Sequence, residues 1–452
     1  MTSGPRNDSQ IPTLIGARTT GVLGEYDHQL DFPEDQDFAI IYGPNGVGKT
    51  KFLEIIHATA RADGRSLENL PYKTATLLFT GGIKLVSRRN SAEKAPDGTD
   101  RVITFEFESP VENIRLTWEY RGNEFEEWLL EETTWRPFPP EPTLWEDARL
   151  GELVPLTELE VRYSDESPQS TSVPPEVTEQ LKAISSYLVE TQRLRIEQTA
   201  PTGPGYYRRA RKRRTASRIT EQSMKMKLLI NEAQTSHSRI TQQLDRTFPN
   251  RVLASTSTPS LEGAGIREKF NKQNTFRSRL GQVASLDLED ALSLPDRDLN
   301  DMERRLLNLY LEDADKKLEP FVLLLRKIEL LEKIVNSRLL KKSLNVTAEN
   351  GLTVYRDSDG EMIDLDSLSS GEQHEIILMF DLLFSVPPGS LVLIDEPEIS
   401  LHVVWQLAFI PDVQSIAAVS NFRFVVATHS PQIINDSWGR ATRLGPAEVD
   451  FE

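Results

Sequence analysis

The stretch that decides the fold is Gly43-Pro44-Asn45-Gly46-Val47-Gly48-Lys49-Thr50. It matches the pattern G-x-x-x-x-G-K-[ST] at every fixed position. The apolar run Phe38–Ile41 precedes it and is typical of a buried strand, and residues 51–56 follow without a helix breaker. A strand, a glycine-rich loop and a helix in this order predict a loop that binds the phosphates of a nucleotide.

Each part of this loop has a chemical role in such a site. The glycines let successive backbone N–H groups point at phosphate oxygens, and the following helix adds positive charge at its N-terminus. Lys49 is expected to reach the β- and γ-phosphates, and the Thr50 hydroxyl to hold Mg²⁺. We therefore assign nucleotide binding to Asn45, Gly46, Gly48, Lys49 and Thr50.

A second part of the site is a strand that ends in two carboxylates. Leu391–Ile394 is wholly aliphatic, and Asp395 and Glu396 follow it directly. Charge at the end of a strand covered on both faces is costly unless it meets a cation or takes part in a reaction. Asp395 is expected to bind Mg²⁺, and Glu396 to polarise the water that attacks the γ-phosphate. An ordinary acidic loop is the alternative, which the upstream phosphate loop disfavours.

Three further motifs accompany these two in a fixed order. They are Leu368-Ser369-Ser370-Gly371-Glu372, the segment from Asp395 to His402, and Ala427-Thr428-His429-Ser430-Pro431. The set resembles ABC-type ATPases, in particular their SMC-like branch, which includes DNA-repair and overcoming-lysogenization-defect ATPases. The signature departs from L-S-G-G-Q, because Ser370 replaces its first glycine and Glu372 replaces its glutamine.

The resemblance implies a site shared between two copies of the chain. Ser369 and Gly371 of one protomer would contact the γ-phosphate of ATP held by the phosphate loop of the other, so a homodimer is expected. His429 matches the switch histidine that senses the γ-phosphate, although a lone histidine after a strand is often a core or capping residue. Gln192 looks like the Q-loop glutamine that reaches Mg²⁺; its alternative is an ordinary polar residue at a strand end.

Composition limits the remaining possibilities. The chain has 452 residues, no cysteine and a formal net charge of −17. The absence of cysteine excludes disulfides and cysteine–metal sites, and we expect a cytoplasmic protein without a membrane span. The acidic balance argues against DNA binding over the whole surface. The basic run Arg208–Arg214 is the exception, and it could bind nucleic acid, contact an acidic partner or be a solvated loop.

The order of patterns along the chain predicts three parts. Residues 1–200 form the first ATPase lobe, in which Ala75–Val86 and Val102–Tyr120 alternate as strands of an antiparallel β-layer. Residues 201–339 form an insertion, and residues 340–452 form the second lobe. Two stretches of heptad spacing in the insertion predict an antiparallel, coiled-coil-like helical hairpin, with two helices packed on a globular body as the alternative. The predicted fold is therefore an α/β ABC-type P-loop NTPase with a β-layer and an inserted hairpin.

The function expected from the resemblance is an ATP-dependent molecular switch. The signature and the segment after Glu396 resemble stand-alone ATPases of anti-phage defence, such as Septu, PARIS and retron-associated modules. In these a separately encoded effector, often a nuclease, is controlled by the ATPase, and the short stretch before Glu452 leads us to expect no fused nuclease. A DNA-repair or recombination ATPase and a scaffold that holds ATP without turnover are the alternatives.

Overall fold

The computed structural model describes residues 12–89, 102–121, 124–138, 144–163, 173–189, 217–254, 262–284 and 294–446. The chain divides into two compact units. Unit 1 comprises Met1–Thr215 and Val386–Glu452, and unit 2 comprises Ala216–Ser385. Within the described residues, no helix is both long and apolar enough to cross a membrane.

The strands are, in chain order, β1 (Leu14–Val22), β2 (Tyr26–Asp31), β3 (Phe38–Tyr42), β4 (Thr74–Phe79), β5 (Lys84–Arg89), β6 (Val102–Ser109), β7 (Ile114–Arg121), β8 (Trp135–Pro137), β9 (Leu144–Asp147), β10 (Leu153–Pro155), β11 (Ser186–Val189), β12 (Lys342–Thr347), β13 (Gly351–Arg356), β14 (Met362–Ile363), β15 (Leu391–Asp395), β16 (Arg423–Thr428) and β17 (Ala441–Arg443). The helices are α1 (Lys49–Ala60), α2 (Gly64–Glu68), α3 (Glu124–Glu132), α4 (Leu156–Arg162), α5 (Pro175–Ala183), α6 (Arg218–Ala254), α7 (Gly263–Ala284), α8 (Asp301–Asn336), α9 (Ser370–Phe384), α10 (Val403–Gln406), α11 (Phe409–Ser420) and α12 (Pro431–Ile434).

A parallel sheet in unit 1 carries the site. Its strand order is β11-β15-β16-β3-β17, and all neighbouring pairs are parallel. The strands β15 and β16 are apolar and buried along almost their whole length, as expected where both faces of a sheet are covered. Because all five strands point the same way, the loops after β3, β15 and β16 emerge at one edge.

The predicted β-layer is confirmed as a six-stranded antiparallel sheet of order β2-β1-β4-β5-β6-β7. Burial alternates along β6, where Ile103, Phe105 and Phe107 face the core and the residues between them are more exposed. This face shares one hydrophobic core with Phe52 and Ile56 of α1. The β-layer therefore packs on the helix that begins at the phosphate loop and helps to fix its position.

A small sheet of order β10-β9-β8 fills the stretch after the β-layer, where the sequence predicted only loops and short strands. Its own core is aromatic and contains the fully buried Trp135 and Trp145, with Leu129 of α3 and Leu159 of α4 packed beside them. This cluster is separate from the main core of unit 1.

Unit 2 is built on long helices. Contacts from α6 run backwards along α8, since Nδ1 of His237 donates a hydrogen bond to the Lys317 carbonyl and Arg251 pairs with Asp313. The antiparallel pairing of the two predicted stretches is thus confirmed. The insertion also contains α7, which packs on α8 and was not predicted because only a few of its residues are apolar and buried. Pro320 lies inside α8 without ending it. The three-part division into residues 1–200, 201–339 and 340–452 stays a prediction.

Gly64 provides a test of how closely α2 packs on the β-layer. A Cβ atom added at Gly64 would overlap the buried ring of Tyr120 on β7. We expect Gly64→Ala to lower the free energy of unfolding by about 1–3 kcal/mol, measured by urea denaturation. Gly439→Ala is the matched control, since an added Cβ there meets nothing within 4 Å. Equal stability of the two variants would contradict the close packing of α2 on β7.

Candidate nucleotide-binding site

The loop between β3 and α1 has the conformation that a phosphate cradle needs. Gly46 and Gly48 have φ values of 84° and 89°, in the left-handed region that favours glycine. A Cβ atom at Gly48 would also lie 2.8 Å from Cγ1 of Val22. At Gly43 a Cβ would overlap the carbonyl oxygen of Leu444. At each of these positions a side chain would either strain the backbone or overlap a neighbouring residue, so glycine is required.

Lys49 is the first residue of α1, and its ammonium group points back at the phosphate loop. Its Nζ donates hydrogen bonds to the carbonyl oxygens of Gly43 and Pro44, at 3.1 and 3.0 Å. The residue is only 4% exposed, and this burial lowers the pKa of Lys49, although the nearby charges of Glu396 and Asp395 act to raise it. A buried cation facing carbonyl oxygens is well placed to exchange these contacts for phosphate oxygens.

Thr50 meets Asp395 across the parallel sheet. Its Oγ1 donates to Oδ1 and Oδ2 of that carboxylate at 3.1 and 3.0 Å. A hydroxyl and a carboxylate are the oxygen donors that Mg²⁺ prefers, and this ion is commonly held by one or two carboxylates together with substrate phosphates. Among the described residues no group of three or more His, Asp or Glu side chains could hold a metal alone. The Thr50–Asp395 pair supplies two such oxygen donors and fits a magnesium ion that is bound jointly with a nucleotide.

Glu396 follows Asp395 with an unusual backbone. Its φ and ψ are 41° and 56°, a left-handed conformation that costs free energy for a residue with a side chain and is concentrated at functional sites. His429, just after β16, accepts a hydrogen bond from Nζ of Lys49 at Nδ1 (3.4 Å), and its Nε2 lies 3.3 Å from Oε1 of Glu396. The imidazole thus links the phosphate-loop lysine to the second carboxylate.

Three supporting contacts were not predicted. Buried His28 on β2 donates a hydrogen bond from Nε2 to the carbonyl oxygen of Val47 at 2.8 Å and so helps to fix the phosphate loop. Glu398 accepts the backbone N–H of His429. Ser430 donates to Gln406 at 2.6 Å. Glu398 and Ser430 lie inside recognised motifs without a role of their own there, and no spacing rule singles out a lone histidine such as His28.

Not every predicted residue belongs to this group of side chains. Gln192 and the basic run Arg208–Arg214 fall outside the described residues. Ser369 and Gly371 belong to unit 2, where Ser369 is the N-cap of α9 and Gly371 lies in its first turn. The structure therefore brings together Lys49, Thr50, Asp395, Glu396 and His429 within unit 1, and the roles of these residues toward a nucleotide remain predictions.

This fold and site define a P-loop nucleotide-binding protein. Residues 38–435 match the family described as "AAA domain, putative AbiEii toxin, Type IV TA system", so the chain belongs to this AAA-domain family. No curated protein matches it.

Solved structures similar to this chain include two SMC head domains. One is the Smc head domain from Pyrococcus furiosus, with an extended coiled coil and bound to the C-terminal domain of ScpA. It is 13% identical, with 94% of this chain and 91% of that one covered and a TM-score of 0.33. The other is the SMC head domain from Thermotoga maritima, 11% identical, with 96% and 99% covered and a TM-score of 0.30.

Replacing Lys49 tests the phosphate loop. We expect Lys49→Ala to abolish ATP binding measured by isothermal titration calorimetry, because it removes the cation that faces the loop. Lys51→Ala is the control, since Lys51 is 40% exposed and pairs with Glu54; it should change the Kd by less than about twofold. Unaltered ATP binding by Lys49→Ala would remove this loop from the nucleotide site.

Proposed function

We propose that the protein hydrolyses ATP to ADP and phosphate at this site. The observation that carries the proposal is the convergence of Lys49 and Thr50 with Asp395, Glu396 and His429 at one edge of the parallel sheet. A cation for the phosphates, a hydroxyl–carboxylate pair for Mg²⁺ and a second carboxylate that can position water are groups suited to phosphoryl transfer to water. Bound Mg²⁺ would supply charge neutralisation of the phosphates.

The protein's side chains bind the phosphates, hold the metal ion and activate the water. Lys49 binds the phosphates, and Thr50 with Asp395 would hold the metal ion. Glu396 accepts a proton from the attacking water at its carboxylate, and the Nε2 atom of His429, 3.3 Å away, orients that carboxylate. The constrained backbone at Glu396 limits the directions its side chain can take. Less conformational entropy is therefore lost when the carboxylate orients the attacking water.

The proposal includes a dimer in which Ser369 and Gly371 of one copy meet the nucleotide of the other. A set of exposed apolar residues supports an interface close to the site. Ile399, Val403, Val404 and Leu407 are between 48% and 65% exposed and follow Glu396 closely in the sequence. Large apolar side chains exposed within one short segment favour protein association there. A second copy of this chain is the partner that completes a nucleotide site at that position.

We further propose that ATP-driven dimerisation controls a separately encoded effector, such as a nuclease, in anti-phage defence. The description of the matched family names a toxin of a toxin–antitoxin system, which supports a role exercised together with another gene product. Pull-down of tagged protein with the product of the adjacent gene, with and without ATP, tests this. A DNA-repair ATPase that uses Arg208–Arg214 would instead be stimulated by duplex DNA, with salt-dependent affinity.

Glu396 is the residue whose replacement separates binding from hydrolysis. Glu396→Gln keeps the shape of the side chain but removes the proton acceptor, so hydrolysis should slow by at least about 100-fold while ATP binding persists. Phosphate release and calorimetry measure the two quantities. Glu108→Gln, at an exposed position of β6, is the control for loss of one negative charge. If Glu396→Gln turned over ATP at the wild-type rate, Glu396 would not be the base. A scaffold that holds ATP without turnover would instead release no phosphate even as the wild-type protein.

A further inference from the structure

The N-terminus of α9 in unit 2 carries a complete set of side-chain capping hydrogen bonds. Oε2 of Glu372 accepts from the backbone N–H of Ser369 at 3.0 Å and from the Ser369 hydroxyl at 2.9 Å. The N–H of Glu372 donates to Oγ of Ser369 at 3.4 Å in return. This is a capping box, and it uses the same serine hydroxyl that the proposed function directs at a phosphate.

Lys342 supplies the counter-charge to this carboxylate. Lys342 is the first residue of β12, and its Nζ donates to Oε1 and Oε2 of Glu372 at 2.9 and 3.0 Å. The Glu372 side chain is only 12% exposed. Burial acts to raise the pKa of Glu372, but the hydrogen bonds from Lys342 and Ser369 outweigh it and leave the pKa below its ordinary value. Glu372 is therefore ionised and paired.

An ionised carboxylate beside Ser369 creates an electrostatic problem for the proposed site. The Ser369 hydroxyl must leave Glu372 in order to donate to a γ-phosphate, and the phosphate then approaches a carboxylate of the same sign. A glutamine at position 372 would carry no charge and could donate a hydrogen bond. With glutamate, the approach of the phosphate requires a cation that stays on the carboxylate after the hydroxyl has left.

We propose that Lys342 is a positioning residue that neutralises Glu372 and so lets this glutamate-containing signature accept the γ-phosphate of ATP bound by a second copy. The inference rests on the proposed function, in which Ser369 acts across the dimer. It goes beyond that function because it makes ATP-dependent closure depend on a residue of β12 that lies outside every motif of the sequence.

The test measures the ATP concentration for half-maximal dimer formation by light scattering, in the Glu396→Gln background where hydrolysis is slow. Lys342→Met should raise this concentration about tenfold, because it leaves a carboxylate unpaired where the phosphate must bind. Adding Glu372→Gln to Lys342→Met should bring it back to within about threefold of the parent, because the repulsion is gone. Lys341→Met is the matched control, since it removes the same charge from the adjacent exposed residue.

Salt separates this role from a purely structural one. The difference between Lys342→Met and its parent in the ATP concentration for half-maximal dimer formation should become smaller in about 0.5 M NaCl, because added salt screens the repulsion. A packing defect would leave this difference unchanged. An unchanged half-maximal concentration in Lys342→Met, or a double variant as impaired as the single one, would overturn the inference while leaving the ATP-dependent dimer intact. Absence of an ATP-dependent dimer in the Glu396→Gln parent would overturn the proposed dimer itself.

Discussion

The hydrogen bonds from Thr50 to Asp395 join residues 345 positions apart in the sequence, and the site depends on this contact. It exists because β15, β16 and β3 are parallel neighbours whose register places Asp395 beside Ala427 and Thr428 beside Tyr42. The apolar strands are stable only when covered on both faces, so the carboxylates, the imidazole and the lysine are confined to the edge where the strands end. At this edge Lys49 is buried and the backbone of Glu396 is left-handed.

The chemistry on unit 2 follows a different physical rule. The N-terminus of α9 attracts negative charge, and Glu372 supplies it within the chain, with Lys342 as its partner. In the proposed dimer a phosphate would take over part of that role. The free energy of dimer closure would then depend on how readily Ser369 exchanges the Glu372 carboxylate for a phosphate. Lys342 would make this exchange easier because it keeps the Glu372 carboxylate paired with a cation.

The sequence predicted the parts of the fold that have a strong local pattern. Phe38–Ile41 and Leu391–Ile394 were recognisable as buried strands because each is a short, unbroken apolar run that leads directly into a motif. The insertion of β16 between β15 and β3 could not be predicted in this way, because strand order is set by long-range packing. Weak or non-local signals account for what was missed. The helix α7 has few buried apolar positions and therefore no heptad pattern that would predict it. His28 contacts the phosphate loop through the Val47 carbonyl, and such a contact has no sequence signature.

Mixing two inactive variants tests the central claim, that a complete site needs the phosphate loop of one copy and Ser369 of another. Lys49→Ala destroys the loop, and Ser369→Arg places a bulky cation where the phosphate contact would form. In a mixed dimer one of the two sites keeps both intact halves, so an equimolar mixture should recover about a quarter of the wild-type ATPase rate if subunits pair at random. Each variant alone should be inactive. A mixture as inactive as its components, although both variants are folded and Ser369→Arg still binds ATP, would contradict the shared site.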